Sequence, residues 1–329
     1  SADGQQIYFT TAWKGTVQLF SLPINWDDPT GQKIRQITDG SFDVTSLVAA
    51  HDEGLVVTRR DFNHASEIFL YQPQTDTWLP LSRANETAYA EISKSRIEKR
   101  WIPTTDGKEM LSWVIYPPGF DADSTYPTLL YCQGGPQGAL SQFYSFRWNF
   151  QLMAAQGYII VAPNRRGMPG HGVAWNEAIS KDWGGQAMDD YLSAIDALAK
   201  APYVDQNRLG AVGASYGGYS VFQLAGIHND RFKSFIAHAG VFNLERMYGT
   251  TEELVFVNWD IGGPYWEKDN KAAQKSYRSF NPLRKVDQWD TPILITQGGK
   301  DYRVPMGQSQ EAFQAAQLQG IKSENFSVG

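Results

Sequence analysis

The sequence predicts an α/β fold in which a doubly wound sheet follows a region of short β-strands. Beyond residue 120, short and continuously apolar runs alternate with helix-compatible stretches, as expected for strands that helices cover on both faces. A Gly-x-Ser-x-Gly sequence at residues 213–217 lies between one apolar run and one helix-compatible run. The beginning of the chain instead contains strand-like segments that repeat. These observations predict two regions, residues 1–90 and residues 91–329.

The composition excludes several classes of protein. Of the 329 residues, 42% are hydrophobic and only 19% are charged, so the chain can bury a large core and disorder is not expected. The net charge of −6 argues against nucleic acid or an anionic membrane as partner. A single cysteine, Cys132, cannot form an intrachain disulfide. No apolar run approaches the roughly 18 residues of a membrane span.

Residues 1–90 contain a repeat with an offset of about 50 residues. Three segments recur: 2–10 at 51–58, 18–21 at 67–70, and 34–38 at 78–82. Short strands with acidic-glycine turns at this period are typical of β-propeller blades. Two blades cannot close a ring, because each blade packs against its neighbours. We therefore expect the last blades of a propeller and a longer parent protein, with a small free-standing β domain as the alternative.

From residue 91 onward the pattern changes to alternating strands and helices. Asp106-Gly107 predicts a hairpin within residues 101–116. Five further strands are expected at 128–132, 158–162, 209–212, 234–238 and 293–296. A helix is expected where four apolar residues share one face: Ala187, Tyr191, Ile195 and Leu198. The tail at 321–329 lacks the apolar run that a last strand would need, so we expect the sheet to be incomplete there.

Ser215 is the candidate nucleophile. It lies at the centre of Gly213-Ala214-Ser215-Tyr216-Gly217, a spacing that allows a turn sharp enough to lift a serine hydroxyl out of the end of a strand. The flanking glycines leave room where side chains would collide. The alternative is an ordinary tight strand-to-helix turn whose serine faces solvent.

Asp301 is the candidate acid. A serine hydroxyl needs a base, and the base needs a carboxylate to orient it. In α/β-hydrolases these groups follow in the order serine, acid, histidine. Asp301 follows the predicted strand at 293–296, which places it at the same edge of the sheet as Ser215. An N-cap role at the helix expected over 307–318 is the alternative.

An oxyanion hole is expected next to Ser215. One donor is the backbone N–H of Tyr216, directly after the nucleophile. The other comes from the loop after the strand ending at Cys132, where Gln133, Gly134 and Gly135 all remain candidates. The alternative is a Gly-Gly-Pro turn without a catalytic part.

No histidine follows Asp301, so the triad is incomplete in this sequence. Chain order disfavours all five histidines as the base, and we expect them to cap helices or to lie in the core: His51, His64, His171, His228 and His238. No HExxH sequence or paired-ligand spacing supports a metal hydrolase.

Several motifs together resemble those of the prolyl oligopeptidase family of serine peptidases, with the closest likeness to its dipeptidyl peptidase 5 and acylaminoacyl peptidase branches. They are Gly-Gly-Pro-Gln at 134–137, Asn-Arg-Arg-Gly at 164–167, Trp-Gly at 183–184 with Asp-Asp at 189–190, Gly-Ala-Ser-Tyr-Gly-Gly-Tyr at 213–219, and Asp-Tyr-Arg-Val-Pro at 301–305. The resemblance covers essentially the whole chain. It implies an α/β-hydrolase domain preceded by a β-propeller.

The resemblance also implies roles for individual residues. It makes Ser215 the nucleophile and Asp301 the triad acid, with the histidine just beyond Gly329. It points to Arg303 as the group that binds a substrate carbonyl, since a guanidinium donates in a fixed fork. Val304, Val241 and Leu244 would form part of an apolar pocket, although core packing accounts for them equally well. The family often carries histidine at the position of Gln133.

The resemblance implies a serine peptidase that releases dipeptides from the amino ends of short peptides and needs no cofactor. Its partners would be peptides with a free N-terminus, and a homodimer and a periplasmic or secreted location are expectations of the same kind. The alternatives are an acylaminoacyl peptidase or carboxylesterase and, because a base is missing, an inactive binding module.

Overall fold

The computed structural model describes residues 1, 4–24, 33–51 and 54–328. Parts of the predicted repeat, including the acidic turns at residues 2–3 and 52–53, lie outside the described residues, as does Gly329. No helix in the described ranges is long and apolar enough to cross a membrane.

Two antiparallel sheets form the N-terminal region. The first sheet contains β1 (Gln6–Trp13), β2 (Thr16–Pro23) and β3 (Arg35–Gln36). The second contains β4 (Asp43–His51), β5 (Gly54–Asp61), β6 (His64–Gln72) and β7 (Thr77–Pro80). Strands β1 to β3 and β5 to β7 fall on the two copies of the predicted repeat and are joined in the same order. Their assignment to propeller blades stays a prediction.

An eight-stranded sheet organises the rest of the chain. Its strands are β8 (Ile97–Pro103), β9 (Glu109–Ile115), β10 (Tyr126–Cys132), β11 (Ile159–Pro163), β12 (Val204–Ala214), β13 (Ser234–His238), β14 (Ile293–Gly298) and β15 (Ser323–Val328). They lie in the order β15-β14-β13-β12-β10-β11-β9-β8. Strands β10 to β15 are mutually parallel, whereas β9 is antiparallel to both of its neighbours. The hairpin and the five predicted strands are confirmed.

The prediction that the sheet lacks its last strand was wrong. Residues Ser323–Val328 pair in parallel with β14, from Ile293 opposite Ser323 to Gly298 opposite Val328. The described sheet ends with this strand. An edge strand is held by main-chain hydrogen bonds to one neighbour and needs no apolar run, and Phe326 is accordingly 61% exposed.

Helices cover both faces of this sheet, and further helices follow β13. They are α1 (Glu86–Glu91), α2 (Phe150–Ala155), α3 (Val173–Glu177), α4 (Gln186–Ala199), α5 (Tyr216–Ala225), α6 (Leu244–Thr250), α7 (Leu254–Ile261), α8 (Lys271–Ser279) and α9 (Gly307–Leu318), with a 3-10 helix at Pro282–Gln288. The four apolar residues predicted to share one face of α4 are all buried in the main core. Three helices, α6 to α8, lie between β13 and β14, where the sequence predicted helical stretches without giving their number or bounds.

The N-terminal sheets are anchored to the large sheet by a hairpin tip and a buried carboxylate. Phe62, between β5 and β6, packs edge-on against Trp113 of β9 and also contacts Phe150 of α2, with ring centroids 5.6 and 5.5 Å apart. Asp43 accepts hydrogen bonds from the Ser141 hydroxyl (2.7 Å) and the Gln142 amide (3.1 Å). Burial raises the pKa of Asp43, although these donors oppose the change.

Replacing Phe62 with alanine should destabilise the protein strongly. The ring is 3% exposed and lies in an aromatic cluster, so its removal leaves a cavity that costs about 3–5 kcal/mol. The matched control is Phe146→Ala, which removes a ring that is 81% exposed and should change stability by less than about 0.5 kcal/mol. Urea unfolding of both variants measures the difference, and equal midpoints would show that the hairpin tip is not anchored as described.

Candidate active site

The turn between β12 and α5 holds Ser215 in a strained backbone conformation. Its φ is 58° and its ψ is −120°, values that side-chain-bearing residues rarely adopt. The Ser215 amide donates to the carbonyl of His238 in β13 (2.9 Å), which ties the turn to the neighbouring strand. The sequence prediction of a sharp strand-to-helix corner at this serine is therefore confirmed.

Glycines make this corner possible because backbone segments meet there at very short distances. A Cβ atom placed on Gly213 would lie 2.5 Å from the Gly217 carbonyl oxygen and 2.7 Å from that of Cys132. One placed on Gly217 would collide with the same Cys132 carbonyl. No side chain fits at these distances, so both positions require glycine for lack of space.

The loop after β10 lies directly against Ser215. A Cβ atom on Gly134 would stand 2.8 Å from the Ala214 carbonyl oxygen and 3.6 Å from the Ser215 Cβ atom. A cavity of about 360 Å³ opens here, lined by Tyr131, Gln133, Gly134, Gly135, Gly138, Ser145, Arg147, Trp148, Ala214 and Ser215. Tyr216 begins α5, and the first amides of a helix have no partner within it. The structure thus brings together the serine and the predicted oxyanion donors.

Asp301 is held in a fixed orientation in the loop after β14. Its Oδ1 accepts hydrogen bonds from the amides of Arg303 (3.1 Å) and Val304 (2.9 Å), and its Oδ2 accepts one from Gln297 Nε2 (3.3 Å). The same Gln297 nitrogen donates to the Val304 carbonyl at 2.8 Å. The N-cap alternative is wrong, because α9 begins at Gly307 with Met306 as its N-cap.

Ser215 and Asp301 lie at the same edge of the sheet. They follow β12 and β14, which flank β13, and Ala214, His238 and Thr296 stand in one register across the three strands. Within the described part of the chain, no hydrogen bond joins the Ser215 hydroxyl to Asp301. Ser215 and Asp301 therefore lie at the edge of the sheet where they were predicted. No group that bridges the two side chains is found among the described residues.

His238 is the histidine nearest to this edge, and it is already engaged. Its Nδ1 is hydrogen-bonded to the Thr296 hydroxyl at 2.8 Å, and its ring lies against Trp148 at 5.9 Å between centroids. Burial lowers the pKa of His238, Arg147 acts in the same direction, and the Asp301 carboxylate opposes both. The Asp301 carboxylate therefore interacts with the His238 ring electrostatically, without a hydrogen bond between them.

Two of the other histidines pair with carboxylates. His64 pairs with Asp61 (2.8 Å), and His228 lies 3.2 Å from Asp290. His171 is largely buried, and burial together with the nearby Lys99 and Lys14 lowers its pKa to about 4. The side chain of His51 lies outside the described structure. In the ranges that are described, no group of three or more His, Cys, Asp or Glu residues could hold a metal ion.

Comparisons with known proteins agree with this geometry. The sequence pattern of the prolyl oligopeptidase family matches residues 144–327, a stretch that includes both Ser215 and Asp301. The chain belongs to the prolyl oligopeptidase family.

Two relatives within this family carry the same name. The chain is 49% identical over 322 residues to dipeptidyl-peptidase 5 of Porphyromonas gingivalis, covering 98% of this chain and 46% of the relative. It is 47% identical over 318 residues to dipeptidyl-peptidase 5 of Porphyromonas endodontalis, covering 97% and 45%. The chain therefore spans less than half the length of these two relatives.

Solved structures show the same fold. An acylaminoacyl peptidase from Pyrococcus horikoshii superposes with a TM-score of 0.86 at 24% identity, over 99% of this chain and 50% of the other. Dipeptidyl peptidase 4 of Porphyromonas gingivalis superposes with a TM-score of 0.80 at 21% identity, over 98% and 44%. The eight-stranded sheet and its helices form an α/β-hydrolase domain, as the sequence predicted.

Two of the predicted substrate-binding residues, Arg303 and Val304, contact Asp301 through their amides, and the four predicted residues differ in exposure. The Arg303 side chain is 58% exposed and pairs with Glu253 at 2.6 Å. Val304, Val241 and Leu244 lie together in the main core and are at most 2% exposed. This burial agrees with the packing account of the three residues, and their role as a pocket stays a prediction.

Gln297 is a site residue that the sequence analysis missed. It is 1% exposed and donates to both the Asp301 carboxylate and the Val304 carbonyl. Its position directly after the predicted strand at 293–296, and four residues before the acid, was the available signal. Nothing in the sequence indicated that the side chain turns toward the acid rather than into the core.

Adding one methyl group at Gly213 should disrupt the corner of the α/β-hydrolase domain. Gly213→Ala forces the Gly217 and Cys132 carbonyls apart, and overpacking of this kind costs about 1–3 kcal/mol or more. Gly249→Ala is the matched control, since its Cβ atom would meet nothing within 4 Å in α6 and should stabilise the helix by up to about 1 kcal/mol. Thermal unfolding distinguishes the two, and a Gly213→Ala protein as stable as Gly249→Ala would contradict the described crowding.

Proposed function

We propose that the protein to which this chain belongs is a serine peptidase that releases dipeptides from the amino ends of oligopeptides. The observation that carries the proposal is the strained Ser215 corner packed against the Gly134 loop, with a fixed Asp301 carboxylate at the same edge of the sheet. The proposal is supported by two relatives named dipeptidyl-peptidase 5 at 47% and 49% identity.

In this proposal Ser215 Oγ attacks the scissile carbonyl carbon and gives its proton to an imidazole. The bond to the leaving amine then breaks as that amine takes the proton, and water hydrolyses the resulting acyl-enzyme by the same route. Asp301 orients the imidazole and stabilises its positive charge. Its Oδ1 is occupied by two turn amides, while Oδ2 has a single donor among the described residues and so retains a lone pair for the ring N–H.

The negative charge on the substrate oxygen is stabilised by the backbone. The Tyr216 amide and an amide of the 133–135 loop are the proposed donors. The N-terminal end of α5 adds a positive dipole next to the developing charge. Because these donors are already in position, no free energy is spent on reorienting them as the transition state forms.

Removing the Ser215 hydroxyl should abolish catalysis. In the full-length protein, Ser215→Ala is expected to eliminate covalent labelling by a fluorophosphonate probe and peptide hydrolysis. Ser234→Ala, at the opposite end of the sheet, should keep both activities. Asp301→Asn should lower kcat by about 10⁴-fold, because the imidazole loses its orienting acceptor. Unchanged labelling of Ser215→Ala would refute the proposal, and a wild-type protein without labelling would favour the inactive binding module.

The choice between dipeptidyl and acylaminoacyl activity depends on the substrate amino group. We expect dipeptides to be released from peptides with a free N-terminus, with N-acetylation lowering kcat/KM by about 30-fold or more, as loss of a buried charge contact does. Matched free and acetylated peptides of one sequence provide the measurement. A preference for the acetylated peptide would instead support the acylaminoacyl peptidase alternative, and rapid cleavage of simple esters alone would support a carboxylesterase.

A further inference from the structure

Arg165 is a completely buried arginine with no carboxylate partner. It follows β11 and is 0% exposed. In the described part of the chain, no Asp or Glu oxygen lies within ion-pair distance of its guanidinium, whereas the adjacent Arg166 pairs with both Asp190 and Asp106. An arginine stays charged even when buried, and a buried charge needs compensating partners. The partners of Arg165 therefore indicate what the charge stabilises.

Those partners are mainly carbonyl oxygens of the loop beside Ser215. Nη2 donates to the Gln133 carbonyl at 3.2 Å, and Nη1 donates to the Pro136 carbonyl at 2.7 Å. Nη1 also donates to the Arg166 carbonyl at 2.6 Å, and Nε donates to the Tyr191 hydroxyl at 3.1 Å. One planar group thus holds both ends of the 133–136 segment.

The contact with the Gln133 carbonyl sets the direction of the next amide. In a trans peptide the C=O and the following N–H point in opposite directions, and the Gln133–Gly134 bond is not among the cis bonds of the described chain. Because Arg165 draws the Gln133 oxygen toward itself, the Gly134 N–H points away from the guanidinium. Gly134 is also the loop residue that packs against Ser215, at 3.6 Å between the position of an added Cβ atom and the Ser215 Cβ atom.

Arg165 also supports the residue that carries the other proposed donor. Its guanidinium lies over the Tyr216 ring, 4.5 Å from the centroid, and the Tyr216 hydroxyl is fixed by the Trp183 carbonyl at 2.8 Å. Beyond Pro136, the loop is held by Asp260, which accepts from Gln137 Nε2 at 3.0 Å. The same arginine therefore contacts the 133–136 backbone and the side chain of Tyr216, whose amide is the other proposed donor.

We propose that Arg165 is a positioning residue that holds the 133–136 segment so that a backbone N–H of this loop forms the oxyanion hole together with the Tyr216 N–H. The proposal rests on the function proposed above and deepens it, because it assigns the residue that fixes the orientation of the loop donor. A donor of this kind acts on the tetrahedral intermediate. Loss of its orientation lowers kcat and leaves substrate binding nearly unchanged.

The test uses Arg165→Met and Arg165→Lys in the full-length protein. Methionine fills the space without donors, and we expect kcat to fall by about 10- to 100-fold with KM changed less than about 3-fold. Lysine keeps the charge and some donors but lacks the planar fork whose two nitrogens reach the two carbonyls, so its kcat should fall less than that of Arg165→Met. A dipeptide boronic acid, which forms a tetrahedral adduct with the serine, should lose affinity by the same factor as kcat, whereas the product dipeptide should bind as in the wild type.

Arg166→Lys is the matched control, because it perturbs a neighbouring buried guanidinium that does not contact the 133–136 loop. It should lower thermal stability without changing the ratio of boronic acid to product affinity. A folded Arg165 variant with wild-type kcat and boronic acid affinity would overturn the proposal, and so would a parallel loss of both affinities. If Arg165→Met fails to fold, the kcat and the boronic acid affinity of Arg165→Lys test the proposal instead. Failure of the proposed function is recognised separately, since the wild-type protein would then show no activity that depends on Ser215.

Discussion

The close approach of backbone to backbone around Ser215 is the constraint on which the site depends. Gly213, Gly217 and Gly134 each face a carbonyl oxygen at a distance that excludes a side chain. Because glycines allow these backbone segments to pack so closely, the chain can turn sharply from β12 into α5 at Ser215, whose φ is 58°. The strain is sustained because β12 is central in the sheet and α5 is completely buried. The 133–136 loop and Asp301 are positioned relative to this corner.

Two adjacent arginines show how the fold distributes buried charge. Arg166 is neutralised by Asp190 and Asp106 and stacks on Trp175 at 3.9 Å, which ties α4 to the turn after β8. Arg165 instead donates to carbonyl and hydroxyl oxygens, and its charge also acts on the Asp260 carboxylate, where it opposes the rise in pKa that burial causes. The first arginine therefore joins elements of the domain by ion pairs, and the second holds the loop beside the corner by hydrogen bonds.

The sequence predicted what depends on local pattern. The apolar runs located β10 to β14, the glycine spacing located the Ser215 corner, and the position after β14 located Asp301. It failed for β15, because an edge strand can be polar, and between β13 and β14 it predicted helix without the number or bounds of α6 to α8. Gln297 and Arg165 were missed as site residues for a different reason. Arg165 contacts Gln133 and Pro136 across about 30 positions of sequence, and no local pattern shows which buried side chains turn toward such a loop.

The aromatic cluster around Phe62 has a consequence for dividing the chain into parts. Phe62 belongs to the N-terminal sheets, yet it packs in a hydrophobic cluster whose other buried members belong to the α/β-hydrolase domain. Trp113 and Phe150 are two of them. Excising residues 91–329 would uncover those rings and leave the Ser141 hydroxyl without Asp43. Exposed aromatic surface of this kind promotes self-association. A well-behaved fragment therefore includes Phe62 and Asp43, and proteolysis near residue 90 would yield pieces that stay attached.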